Sequence, residues 1–196
     1  MENFFTDYSL WIEIIGTVTG ILGVWLTIRQ NIWCFPVGII NVALYSWLSF
    51  ENRIYANALL QLVYMSVLIY GWYNWKKGET DMNELPVTES SRKLLLTLSF
   101  IFVLAFAAVY FILIHHTDSD VPVADSFTFS LGIIAQYMIA RKKIENWHLW
   151  IIVNVVSVAL YAYKELYWMG GFYLLLIIMA VLGFKEWKKD LQKQKK

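Results

Sequence analysis

The sequence contains few charged residues and a single cysteine. Only 16% of its 196 residues are charged, whereas 59% are hydrophobic, 17% are aromatic and the mean hydropathy is +0.52. This composition is far more apolar than that of a soluble domain, so we predict a membrane protein that crosses the bilayer several times. Because Cys34 has no second cysteine to pair with, an intramolecular disulfide and a cysteine-based metal cluster are both excluded.

Motifs for catalysis and metal binding are also missing. No apolar segment carries H-E-x-x-H, G-x-S-x-G or a pair of carboxylates, so the sequence predicts no enzyme, no catalytic residue and no cofactor. His115 and His116 lie beside two aspartates, but their spacing matches no metal site. Residues 1–7 carry no basic segment, and we therefore expect the first helix to be retained rather than cleaved as a signal peptide.

Seven apolar runs follow one another along the chain, each compatible with a membrane-spanning helix. The breaks between them are short and polar, except for two longer loops at 76–93 and 115–125. The predicted spans are Leu10–Ile28, Trp33–Phe50, Tyr55–Trp75, Leu94–Ile114, Ser126–Ala140, Trp147–Tyr163 and Tyr167–Phe184.

The distribution of lysine and arginine predicts the orientation. If the C-terminus is cytoplasmic, all sixteen of these residues except Arg53 and Lys164 lie on the cytoplasmic side. Positive charge accumulates in cytoplasmic loops, so we predict an external N-terminus and a cytoplasmic C-terminus. The basic tail after the last span is then expected to lie against anionic lipid.

A weak internal repeat relates the two ends of the chain. The segment G-W-Y-N-W-K-K at 71–77 matches G-F-K-E-W-K-K at 183–189, and Trp33 matches Trp147 if two residues are inserted. One helix separates the repeats, so both run in the same direction across the membrane. The predicted organisation is a three-helix unit at 1–77, a cytoplasmic loop and linker helix at 78–114, and a second three-helix unit with a basic tail at 115–196.

The sixth predicted span carries the most specific pattern. Trp147, Trp150 and Asn154 are spaced i, i+3 and i+7, which places two indoles and a carboxamide on one face of a helix. An amide in the middle of a membrane helix is costly unless it finds a partner, so this face should line protein or a wet cavity. The indoles would form the wall of a binding site, and Asn154 would be its polar contact.

Other predicted helices carry polar and aromatic residues at similar depth. A single amide can merely hold two helices together by a hydrogen bond, and the sequence leaves that alternative open for each one. Four amides on helices that the repeat brings together favour a central binding site instead. The predicted substrate-binding residues are Asn41, Gln61, Tyr64, Gln136, Trp147, Trp150 and Asn154.

Two further groups of residues have simpler interpretations. Glu13 lies about one turn inside the first span and is expected to reach the interface or pair with a neighbouring helix; attraction of a cationic substrate is the alternative. Tryptophans at predicted helix ends are expected to anchor the protein at the membrane surface. These anchors are Trp33, Trp72, Trp75, Trp168 and Trp187.

These motifs resemble those of a known family. W-x-x-W-x-x-x-N at 147–154, W-C-F-P-V-G-I-I-N-V-A-L-Y-S-W at 33–47 and the W-K-K helix ends are similar to the PnuC family of bacterial vitamin transporters, and the likeness covers residues 11–189. The resemblance implies an all-α, SWEET-like fold of seven transmembrane helices in the bacterial inner membrane. It also implies facilitated uptake of nicotinamide riboside and trapping of that substrate by a cytoplasmic kinase. Some members of the family assemble as homotrimers, which is a possible assembly for this chain.

The family contains more than one substrate class. The pyridinium ring of nicotinamide riboside is a flat cation that indole faces can hold, and its hydroxyls and carboxamide suit amide side chains. Thiamine also has a flat cationic ring and is the alternative substrate, whereas riboflavin is larger, neutral and a poorer fit. An alternative of another class is a membrane subunit that binds a substrate or a partner protein without transporting it. Small molecules and lipid, not nucleic acid, are the expected partners.

Overall fold

A computed structural model describes residues 2–51, 55–80 and 85–194, with the side chains of 2–10, 13, 51, 55–59 and 79–80 excluded. Within these ranges the protein consists of α-helices joined by short turns and by the segment 85–91. Seven helices occupy these ranges, which confirms the all-α prediction. They are α1 (Glu2–Ile28), α2 (Cys34–Glu51), α3 (Tyr55–Thr80), α4 (Arg92–His116), α5 (Pro122–Ala140), α6 (Asn146–Tyr163) and α7 (Tyr167–Gln194).

Four of the described helices, α4 to α7, are long and apolar enough to span a membrane. The apolar stretches described within α1 and α2, Ile14–Ile28 and Cys34–Phe50, are shorter. Helix α4 is the most apolar of these four spans and leaves Leu96, Phe100 and Val103 exposed along its length. A helix with so many exposed apolar side chains fits a lipid-facing position.

Six helices form a closed ring in the order α1, α2, α3, α5, α6, α7, with α7 packing back on α1. Helix α4 lies outside this ring and packs on α5. Within each half of the ring the middle helix, α2 or α6, contacts both of its sequence neighbours. The halves meet where α3 packs on α5 and where α1 packs on α7, so the centre of the ring lies between them.

The turns that end α1 and α5 have the same conformation. Gln30 and Lys142, which are 112 positions apart, both adopt a left-handed backbone with φ of 53° and 46°. The following residue closes each turn: Asn31 N donates to Leu26 O at 2.9 Å, and Lys143 N donates to Met138 O at 2.8 Å. This hydrogen bond and the left-handed residue are the features of a Schellman helix end.

The same spacing of 112 continues into the next helices and corrects the predicted alignment of the repeats. Phe35 packs edge-on against Trp75 with ring centroids 5.0 Å apart, and Trp147 packs edge-on against Trp187 at 5.4 Å. Trp147 therefore corresponds to Phe35, not to Trp33, and no insertion separates the repeats. The sequence comparison was wrong because it paired identical residue types, whereas packing pairs residues by position.

These four rings, Phe35, Trp75, Trp147 and Trp187, form an aromatic cluster that we place at the basic end of the bundle, where Arg29, Arg141 and Lys142 also lie. At most 3% of each of the four residues is exposed. The prediction that Trp75 and Trp187 are interfacial anchors is therefore wrong, whereas Trp33, Trp72 and Trp168 are exposed as predicted. A helix-end tryptophan is an anchor only if its face points outward, and Trp75 and Trp187 point into the ring.

The segment before α4 packs onto the same end of the bundle. Thr88 N donates to Lys142 O and Thr88 O accepts from Ile144 N, both at 3.0 Å. The backbone N–H and hydroxyl of Ser90 donate to the Glu145 carboxylate at 2.8 and 2.9 Å. Val87, only 1% exposed, joins the core formed around the aromatic cluster. The described part of the long predicted loop is thus held on the turn between α5 and α6.

Candidate functional site

Three helices bring aromatic side chains together near the middle of the ring. A Cβ atom added at Gly132 on α5 would overlap the Tyr64 hydroxyl from α3, and would lie 3.3 Å from Tyr64 Cζ and 3.9 Å from Trp150 Cη2 on α6. The Tyr64 ring also packs edge-on against Phe129 at 5.4 Å. Glycine at position 132 thus leaves room for two rings that the sequence analysis assigned to the binding site.

Three of the predicted amides have no hydrogen-bond partner among the described residues. Asn154 on α6 is only 4% exposed, yet its side chain makes no hydrogen bond within the described residues. Gln61 on α3 and Gln136 on α5 are half-buried, and their side chains likewise make none in that part of the chain. Each of these amides can both donate and accept hydrogen bonds, so the three groups are available to a bound ligand.

Asn41 differs from these three amides because its N–H groups are engaged. Its Nδ2 atom donates to Gly16 O at 2.7 Å and to Thr19 Oγ1 at 2.9 Å, both on α1. This is the helix-to-helix hydrogen bond that the sequence left open as the alternative. A Cβ atom built at Gly20 on α1 would lie 3.9 Å from Asn41 Nδ2 and 3.9 Å from the Phe172 ring on α7. Asn41 on α2 thus lies near the centre of the ring, close to both of these helices. Only its carbonyl oxygen could serve a ligand.

Trp147 lies in a different environment from Trp150, although the two share a helix face. Its ring is 2% exposed and packs against Trp187 and the backbone of Gly183, in the aromatic cluster at the basic end. Its Nε1–H is buried, with no acceptor among the described residues. The structure thus places Trp150 beside Tyr64 and Trp147 in the core at one end. The substrate-binding role of Trp147 stays a prediction.

The predicted substrate-binding residues do not include a group of tyrosines, Tyr45, Tyr161 and Tyr173. Tyr161 and Tyr173 stack with ring centroids 5.2 Å apart, and Tyr45 on α2 lies against Gly16 of α1, where an added Cβ would overlap its ring. Tyr45 and Tyr161 each end an Ala-Leu-Tyr triplet, a signal that could have drawn attention to them. Tyr173 had no comparable signal, because it lies among apolar residues of α7 and is identified only by what it contacts.

The described side chains around Gly132 that can contact a ligand are aromatic rings and amides. Metal-binding clusters of histidine, cysteine, aspartate or glutamate are absent from the described residues. Glu13, the carboxylate predicted inside the first span, lies outside the described side chains. The described rings and amides can hold a flat molecule by its faces and by its polar substituents.

Comparison with known proteins finds similarity to transporters over nearly the whole chain. Residues 10–189 match a family described as "Nicotinamide mononucleotide transporter". The chain is 32% identical to the nicotinamide riboside transporter PnuC of Escherichia coli (strain K12), covering 90% of this chain and 84% of that protein. It is 30% identical to PnuC of Neisseria mucosa, with 91% of this chain and 72% of that protein covered.

Two further relatives place the fold and widen the range of substrates. The riboflavin/roseoflavin transporter RibM of Streptomyces davaonensis is 25% identical, with coverages of 93% and 87%. A crystal structure of the vitamin B3 transporter PnuC superposes with a TM-score of 0.75 at 26% identity, covering 97% of this chain and 86% of that one. The chain therefore belongs to the PnuC family of membrane transporters, which confirms the resemblance seen in the sequence and the prediction that the protein is not an enzyme.

Proposed function

We propose that this protein takes up nicotinamide riboside by facilitated diffusion. The observation that carries the proposal is that Tyr64 on α3 and Trp150 on α6 both approach Gly132 on α5, while Asn154, one turn beyond Trp150 on α6, has an amide with no hydrogen-bond partner among the described residues. Relatives that cover most of the chain are named as transporters of this substrate.

The chemistry of the substrate supports this choice. A pyridinium ring against Trp150 or Tyr64 gains about 0.5–2 kcal/mol per aromatic face from cation–π attraction. Its carboxamide and ribose hydroxyls need both donors and acceptors, which Asn154, Gln61 and Gln136 supply. No charged group among the described side chains near the site competes with these contacts.

Alternating access between the halves of the ring is the proposed mechanism. Residues 1–77 and 115–196 act as the two moving units, with 78–114 as the connection, and the units rock about the central site. The basic end faces the cytoplasm, in agreement with the predicted orientation. Because equilibration alone gives no direction, a cytoplasmic kinase retains the substrate by phosphorylating it. Assembly as a homotrimer in the bacterial inner membrane completes the proposal.

Riboflavin and thiamine are the competing substrates. The relative named as a riboflavin/roseoflavin transporter covers most of the chain, so riboflavin deserves a direct test. Its isoalloxazine ring is neutral and larger, however, and loses the cation–π contribution. Thiamine keeps a cationic ring and would use the same aromatic faces, so only a measurement separates it from the riboside.

Calorimetric binding to the purified protein tests the substrate and the site together. We expect nicotinamide riboside to bind. Trp150→Ala should weaken binding about 2- to 30-fold, because an aromatic face contributes about 0.5–2 kcal/mol. Asn154→Ala should weaken it about 5- to 150-fold, because loss of the amide hydrogen bonds costs about 1–3 kcal/mol. Trp168→Ala, which removes an exposed indole on α7, is the control and should leave the affinity unchanged. Binding of thiamine or riboflavin alone would refute the choice of substrate.

Uptake by the protein in liposomes tests transport. We expect labelled riboside to equilibrate without a pH gradient or an added kinase, and to accumulate only when a kinase and ATP are enclosed. A protein that binds the riboside but moves no label would instead be a binding subunit. Accumulation driven by a pH gradient alone would refute facilitated diffusion.

A further inference from the structure

The two halves of the ring are joined at the basic end by a matched pair of hydrogen bonds. Trp75 Nε1 on α3 donates to Ile139 O on α5 at 3.2 Å, and Trp187 Nε1 on α7 donates to Thr27 O on α1 at 3.1 Å. Both bonds are buried, and each connects one half of the ring to the other. Donors and acceptors are each 112 positions apart, so the two bonds are equivalent within the repeat.

The residues around each indole are also equivalent. Trp75 packs edge-on against Phe35 at an interplanar angle of 89°, and Trp187 packs edge-on against Trp147 at 87°. Gly71 and Gly183 let these partner rings approach, because a Cβ at either glycine would overlap the ring of Phe35 or Trp147. The two indoles themselves are 6.4 Å apart between ring centroids. The rings thus meet across the boundary between the halves.

Other polar contacts across the boundary surround the aromatic cluster. Asn74 Nδ2 donates to Ala140 O at 2.7 Å, and Gln30 Nε2 donates to an Asp190 carboxylate oxygen at 2.7 Å. The Lys142 ammonium lies 4.5 Å from the centroid of the Trp75 ring and is itself buried. The cluster therefore fills the basic end of the ring with packed side chains and leaves the path to the central site closed there.

We propose that Trp75 and Trp187 form a two-part gate at the basic end, and that both indole-to-carbonyl bonds break when the central site opens to that side. The inference rests on the proposed transport function, because a gate has meaning only if the halves of the ring separate. Separation along the α3–α5 and α1–α7 boundaries breaks the two bonds in a single movement, since both connect one half to the other. The indole N–H and the carbonyl then need water, which reaches them only as the gate opens.

Cys34 reports on this gate without any engineering. It is the sole cysteine of the chain, is 5% exposed, and precedes Phe35 in the aromatic cluster. Its side chain belongs to the same buried cluster as Phe35, Trp75, Trp147 and Trp187. A closed gate hides the thiol and an open gate exposes it, so its rate of alkylation follows the open fraction.

The test measures alkylation of Cys34 by a fluorescent maleimide in the full-length protein in lipid nanodiscs, with no substrate present. We expect slow labelling of the wild type and a roughly three- to tenfold faster rate for Trp75→Phe and for Trp187→Phe, because each loses one buried hydrogen bond of the closed state. The double variant should be faster than either. Trp72→Phe on α3 and Trp168→Phe on α7, which change exposed rings, should stay within about twofold of the wild type.

General loss of stability is separated from gate opening by a second comparison. Asn41→Leu removes hydrogen bonds between α1 and α2 within one half of the ring, so it should lower the melting temperature without speeding the labelling. If the indole variants do not purify as folded protein, Asn74→Ala removes another bond across the boundary and should speed labelling about twofold or more. Unchanged labelling in the folded variants, or equal acceleration by Asn41→Leu, overturns the gate.

The result is independent of the substrate assignment. Labelling is measured without ligand, so a failure to bind or transport nicotinamide riboside would refute the proposed substrate and leave the gate to be judged by Cys34. Conversely, if riboside uptake is normal and the labelling rate of Cys34 is unchanged in the variants, the proposed transport function stands and the proposed gate of Trp75 and Trp187 is refuted.

Discussion

Adding one methyl group at Gly132 should damage the central site. The new Cβ would overlap the Tyr64 hydroxyl and come within 3.3 Å of Tyr64 Cζ. Tyr64 also packs edge-on on Phe129, and Trp150 Cη2 lies 3.9 Å from the new atom, so little free space receives the displaced ring. Gly132→Ala therefore changes the position of Tyr64, of α5, or of both.

Opposing terms set the size of the effect on stability. Alanine is favoured over glycine inside a helix by about 0.8–1 kcal/mol. Overpacking a filled region costs about 1–3 kcal/mol. We therefore expect a net loss between nothing and about 2 kcal/mol, so that Gly132→Ala still folds. Binding should suffer more, since losing the Tyr64 face removes about 0.5–2 kcal/mol, equivalent to about 2- to 30-fold in the dissociation constant.

Thermal unfolding and calorimetric titration with nicotinamide riboside together measure both effects. Gly171→Ala is the matched control, because a Cβ at this exposed glycine of α7 meets no atom within 4 Å. That control should bind like the wild type and melt at the same temperature or slightly higher. If Gly132→Ala also binds with unchanged affinity, then Tyr64 and Trp150 do not line the binding site and the location of the site is wrong.

Three further predictions concern the surrounding structure. Asn41→Leu removes two hydrogen bonds to α1 and should cost about 1–3 kcal/mol in a denaturation experiment; no loss would mean that Asn41 faces a ligand instead. Glu145→Ala frees the backbone N–H and hydroxyl of Ser90 and should speed proteolysis of the segment before α4, with Glu186→Ala as an exposed control. The hydrogen bond from Lys164 holds the pKa of the Asp120 carboxyl below its usual value. The stabilisation that this ion pair gives to the folded protein is therefore complete above the usual aspartate pKa, and it is lost as the pH falls through the lowered pKa. An exposed ion pair contributes little even when it is fully formed, so the melting temperatures of wild type and Asp120→Asn should agree within about 2 °C near neutral pH.

The sequence alone predicted the helices and the family. Apolar runs and polar breaks follow from the cost of placing side chains and backbone groups in lipid, and that cost depends on each segment by itself. The predicted spans accordingly coincide with α1 to α7 to within a few residues in most cases, and the largest differences arise where α1, α3 and α7 continue beyond the apolar core. The local motifs at 147–154, at 33–47 and at the W-K-K helix ends likewise indicated the family.

Tertiary structure alone decided which residues face one another. Trp72 and Trp75 belong to the same helix end, yet one is exposed and the other is buried against Trp187. Asn41 and Asn154 look alike in sequence, but only Asn41 has a hydrogen-bond partner on another described helix. Such differences depend on the rotation of each helix against its neighbours, which is set by contacts between residues far apart in the chain. Local hydropathy carries no record of those contacts.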